Sequence, residues 1–120
     1  MNNIKNQLIA RGVPYEEVME RFLEDEGFYF DYLHEFTRDS YFQLLEEALA
    51  EGQAVEAFHA AHTLKGLMSN LGLLPLVEAI SPLVEVLRQG SLEGTEALFS
   101  SFQEAHREFC GFIEENIPRQ

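Results

Sequence analysis

Apolar residues recur along this chain three and four positions apart, and no stretch alternates residue by residue between hairpin turns, so the pattern predicts helices from end to end. Glycine and proline divide it into segments. A first helix is expected from about Ile4 to Ala10, stopping near Gly12 and Val13. Pro14 suits a helix start and leads into Tyr15 to Leu23, with Val18, Phe22 and Leu23 as apolar contacts. After Glu26 and Gly27, the spacing of Phe28, Tyr32, Leu33 and Phe36 marks a third helix ending near Arg38 and Asp39. Ser40 is placed to cap a fourth, which carries Phe42, Leu45 and Leu49 and stops at Gly52. A fifth runs from Ala54 to Leu71 and gives way at Gly72, and Pro75 opens a sixth through Leu87 that Gly90 closes. The last, from about Gly94 to Asn116, sets Leu98, Phe102, Ala105, Phe109 and Ile113 at core spacing, with Phe99 and Phe112 beside that stripe. Pro82 removes one ladder bond within the sixth helix, where Leu83, Val86 and Leu87 carry the pattern on, so a kink is expected there and not an end.

Short connections make successive helices antiparallel neighbours. The expected fold is therefore all-α: an up-down antiparallel four-helix bundle, its core over about residues 27–116, with short additional N-terminal helices packed over one end. Residues 1–120 are read as a single domain with one modest core. No apolar run approaches the roughly 20 residues of a membrane span, and the stretch from Met1 to Lys5 is too polar for a signal peptide, so a cytoplasmic chain is expected. Cys110 is the lone cysteine, in an apolar helical pattern that favours packing over redox chemistry. Twenty-one acidic against eight basic side chains give a formal net charge of −13, which opposes binding to nucleic acid or an anionic membrane. Phosphate chemistry, where it occurs, has to come from local geometry.

One stretch offers such a geometry. With the helix from Ala54 to Leu71 turned by about 100° per residue, Ala57, Ala60, Ala61, Leu64, Leu67, Met68 and Leu71 cluster roughly 160° away from His62. His62 is thus expected to point out of the core. Val55, Phe58, His59, Lys65, Gly66 and Ser69 all fall within about 60° of it. Two of these neighbours, Val55 and Phe58, are expected to be exposed apolar side chains, a surface on which a transient protein partner can dock. Imidazole in its neutral form is a good nucleophile, able to accept a phosphoryl group. Three residues on, the ammonium of Lys65 lies within helical reach to offset the incoming charge. Gly66, four residues on, leaves bare backbone beside the imidazole. Glycine costs about 0.5 to 1 kcal/mol relative to alanine inside a helix, so its place here points to the close approach of a partner.

The run Ala61-His62-Thr63-Leu64-Lys65-Gly66, followed by Ser69-Asn70-Leu71-Gly72, resembles the signature of histidine-containing phosphotransfer (HPt) domains. The resemblance is most specific from Ala61 to Gly72, with a looser helical pattern over nearly the whole chain. It implies a helical bundle whose histidine relays phosphoryl groups between receiver-domain aspartates, a phosphoryl carrier without an ATP site of its own. By the same resemblance His62 is the phosphoacceptor, through the ring nitrogen farther from the backbone; Lys65 interacts with the phosphoryl group, and Gly66 keeps access open. The implied partners are receiver domains of response regulators or of hybrid sensor histidine kinases, which bring the magnesium ion. Val55, Phe58, His59 and Ser69 are the expected docking residues. The chain itself is expected to need no cofactor and to act as a monomer.

Other readings are weaker. Asp31-x-x-His34 and Glu56-x-x-His59 have the spacing of metal-binding bundles, yet such ligands project inward and His59 projects outward. No metal ligand set is therefore assigned. A non-catalytic adaptor bundle leaves His62, Lys65 and Gly66 unexplained. An autonomous enzyme is not expected, because the chain has no Gly-rich nucleotide loop and no Walker or kinase-type pattern. His34 and His106 are expected at the core boundary, with His106 packed between Phe102 and Phe109.

Overall fold

The structure, a computed structural model, describes residues 3–119. Seven α-helices make up the fold of the described residues: α1 (Ile4–Ala10), α2 (Tyr15–Arg21), α3 (Glu26–Phe36), α4 (Ser40–Ala50), α5 (Ala54–Asn70), α6 (Leu74–Arg88) and α7 (Thr95–Asn116). Helices α4 to α7 pack in sequence order, α4 on α5, α5 on α6 and α6 on α7. Phe42 of α4 meets the Phe99, Phe102 and His106 rings of α7 and so closes the up-down bundle. Helix α3 packs on α7, where Thr37 at its end donates to the Glu114 carboxylate.

Helix α5 is central because its inner face is small. Ala57, Ala60 and Ala61 are all buried and let α4 and α6 approach closely, while Leu64 and Met68 fill the space below them. One outward stripe of α5 remains in solvent. The short α1 and α2 lie over the end of the bundle at the turn between α5 and α6. Arg11 pairs with Glu108 at 2.7 Å and stands 4.1 Å over the Phe112 ring. Arg21 donates to the carbonyls of Ser69 and Asn70, and the Tyr29 hydroxyl donates to that of Leu71. These carbonyls are among those that the last turn of α5 leaves without helical partners, so α2 and α3 together hold that end of the site helix. Gly72, in the turn, has a left-handed backbone (φ +78), and a Cβ there would stand 2.5 Å from Val18. Only glycine admits both the turn and the approach of α2.

Helix bounds and burial follow the expected pattern closely, with these differences, besides α3 ending at Phe36 and not near Arg38 and Asp39. Asp39, not Ser40, is the N-cap of α4; its carboxylate accepts from the Tyr41 backbone N–H. Helix α2 ends at Arg21, two residues early, because Leu23 and Glu24 both turn left-handed (φ 60 and 59), and Leu23 is 79% exposed where a core contact was expected. On α3 the buried set is Tyr29, Phe30, Leu33, His34 and Phe36, whereas Phe28 and Tyr32 are partly exposed and lean on Phe22. That helix packs against the α1–α2 end and α7 at once, which widens its buried arc and shifts it by one residue. Leu67, placed in the apolar cluster of α5, is only half-buried, because it sits at the edge facing the α3–α4 corner. Pro82 lies inside α6, which runs on to Arg88.

Candidate functional site

His62 lies midway along α5 on its outward stripe and is exposed, as the helical wheel places it. Val55, one and a half to two turns before it, is 65% exposed. His59, Gly66 and Ser69 are exposed on the same stripe, and Lys65 is half-buried beside it. A Cβ built on Gly66 would meet nothing within 4 Å, so no other part of the fold approaches this glycine. Its bare backbone faces solvent.

Phe58 departs from the expectation of an exposed side chain. It is half-buried and packs against the core, since the α5–α6 seam lies on its side of the helix. Its ring still reaches the site: the His62 imidazole lies 5.5 Å away, tilted by 32°, and the His59 ring lies 5.7 Å away. The Arg88 guanidinium of α6 stands 5.2 Å from the centre of the same Phe58 ring. Arg88 was missed by reading α5 alone. The signal that finds it is the antiparallel pairing of α5 and α6 about Gly72, which sets the last turn of α6 level with the first turns of α5. The same reflection about Gly52 sets Tyr41 and Leu44 of α4, both partly exposed, level with residues 60–63.

The remaining histidines lie elsewhere. His34 is buried, not at the boundary: its Nε2 donates to the Ile117 carbonyl at 2.8 Å, and Nδ1 is buried without a hydrogen-bond partner. His106 packs between Phe42, Phe36 and Phe102, with its ring centre 4.2 Å from that of Phe42, and burial lowers its pKa to about 4. Cys110, one turn along, has its thiol pushed up to about 12 by burial, so it carries little thiolate and is a packing residue. Among the described residues no three His, Cys, Asp or Glu side chains come together as a metal ligand set. Nor is any described helix long and apolar enough to cross a membrane.

Chemically, the stripe presents one exposed imidazole with a cation on its own helix, a second cation across an aromatic ring, and open backbone. The groove at the α3–α4 corner, lined by Tyr32, Phe36, Leu67 and Asn70, does not include His62. Such a site can accept a group from a partner that brings its own catalytic machinery. Compared with known families, residues 31–114 match the model of the Hpt domain. No curated protein and no solved structure matches the chain.

Proposed function

The chain belongs to the Hpt domain family, and from that premise we propose that it is a phosphoryl carrier that passes phosphate between receiver-domain aspartates through His62. The observation that carries the reading is an exposed imidazole beside a glycine to which nothing in the fold comes near. In the forward step the lone pair of the His62 Nε2 forms the P–N bond. The P–O bond to the receiver's aspartate breaks, and its electron pair leaves with the carboxylate. The ring proton stays on Nδ1 during transfer, and the reverse step retraces the same path. The receiver brings the acidic pocket and the magnesium ion; this chain contributes the nucleophile, Lys65 as a charge-offsetting cation, and the space over Gly66. Positioning and charge stabilisation carry such transfers.

The docking surface of this reading comprises Val55, His59 and Ser69 on α5 and the edge of Phe58. Receivers of response regulators or of hybrid sensor histidine kinases are the proposed partners, met in the cytoplasm by a monomeric carrier. The test is mass-spectrometric mapping under non-acidic conditions, after incubation with phosphoramidate and then with a magnesium-loaded receiver domain. Acid-labile phosphate on His62 that leaves when the receiver is added is the expected result. A folded chain that takes up none, or a His62→Gln variant that still accepts phosphate, overturns the reading and leaves a non-catalytic adaptor.

A further inference from the structure

Basic side chains are scarce on this chain, eight in all, and four of the arginines are committed to nearby partners. Arg107 pairs with Glu104 at 2.7 Å and Arg119 with Glu114 at 2.5 Å. Arg11 and Arg21 are occupied in holding α1 and α2 on the bundle, by Glu108 and by the Asn70 carbonyl. Arg88 is held differently. Its ion pair with Glu85, one turn back, is long at 3.4 Å between two largely exposed side chains, a contact that exchanges readily with solvent. Its guanidinium stands over the Phe58 ring, the same ring that lies against the His62 imidazole.

The placement has a direction. On α5, Lys65 lies about one turn after His62 and Phe58 about one turn before it. The two cations therefore bracket the imidazole along the helix axis, one on its own helix and one reaching across from α6. A guanidinium is planar and offers paired N–H donors that match two phosphoryl oxygens, which an ammonium cannot do. A phosphoryl group carries close to two negative charges near neutral pH, more than the single carboxylate of Glu85.

Resting on the carrier reading, we propose that Arg88 is a second phosphoryl-binding cation of this site. When a phosphoryl group stands on His62, the guanidinium exchanges Glu85 for its oxygens, and Phe58 is the positioning residue that keeps both the imidazole and the guanidinium in place. The charged and titratable groups around that position are Lys65 and His59 on α5, Arg88 and Glu85 on α6, and Tyr41 on α4.

The experiment is a 31P NMR titration of the chain after labelling with phosphoramidate, comparing wild type with Arg88→Ala, Arg88→Lys and Phe58→Leu. An adjacent cation favours the doubly charged phosphoryl form and so lowers its titration midpoint. Arg88→Ala is expected to raise the midpoint by roughly half a pH unit at low salt, and Arg88→Lys to recover much of that. The difference is expected to shrink at about 1 M salt, which a structural effect would not do. Phe58→Leu is expected to raise the midpoint as well, with Arg88 present but unplaced. A phosphoryl group on His62 whose midpoint is the same in wild type and Arg88→Ala overturns the role of Arg88 and leaves the carrier reading standing. Absence of phosphate from His62 in the folded wild-type chain overturns both.

Discussion

Stability should fall as pH drops from neutral, and the half-buried His106 should contribute a measurable share of the fall. His106 of α7 is enclosed by Phe42, Phe36 and Phe102, with the Cys110 sulfur 3.7 Å from its Nε2, and this burial lowers its pKa from 6.5 to about 4. A depressed pKa means that the unfolded chain binds a proton between those two values while the folded chain does not. The stabilisation is therefore complete above about pH 7, declines as pH falls through 6.5, and is exhausted near pH 4, where the folded form also protonates. Integrated from about pH 7.5 down to about pH 5, that difference is about 2 kcal/mol, or roughly 8 °C in Tm for a chain of this length. The assay is urea unfolding at those two pH values for wild type and for His106→Phe, which keeps a ring in the cluster and removes the proton site. His106→Leu guards against overpacking by the larger ring. Every other ionisable group is common to these proteins, so the wild-type loss minus the variant loss isolates His106. Equal losses in wild type and both variants would refute the reasoning.

Three further outcomes are expected. Lys65→Ala should slow exchange with a receiver without changing the helical circular dichroism spectrum, and unchanged exchange kinetics would remove Lys65 from the transfer. Gly66→Leu should block receiver exchange while leaving phosphoramidate labelling of His62 intact; it should raise stability by about 0.5 to 1 kcal/mol through helix propensity, since its Cβ meets nothing. Unimpaired exchange would show that space over Gly66 is not needed. Gly72→Ala should cost about 2 to 4 kcal/mol, combining a left-handed alanine with the clash on Val18, whereas Gly90→Ala, also left-handed but open, should cost only about 1 to 2; equal losses in chemical denaturation would refute the packing argument.

The periodicity that names Ala57, Ala60, Ala61, Leu64 and Met68 as the inner face of α5 also turns His62 outward, so one pattern yields both the fold and the exposure of the site. Legibility ends where tertiary packing decides. Nothing local in Phe22-Leu23-Glu24 announces two consecutive left-handed residues, because glycine usually occupies such corners and here it does not. Asp39 and Ser40 are adjacent and both suit a cap, and only the backbone geometry separates them. Burial of His34 depends on the Ile117 carbonyl, 83 residues away in sequence, and the approach of Arg88 depends on how α6 folds back along α5.

The position of Gly66 on a convex helix side, with no walls around His62, bears on how long a partner stays. A cleft encloses its ligand and buries much of it, whereas a single outward stripe offers a few side chains and a strip of backbone. Interfaces burying less than about 1,200 Å² are typical of short-lived encounters. Because α5 is held at its far end by Arg21 and Tyr29, meeting a partner requires little ordering of this chain, so entropy does not slow arrival. Shallow contact then leaves the dissociation rate high. A surface of this shape suits brief handovers with successive visitors, one leaving before the next arrives.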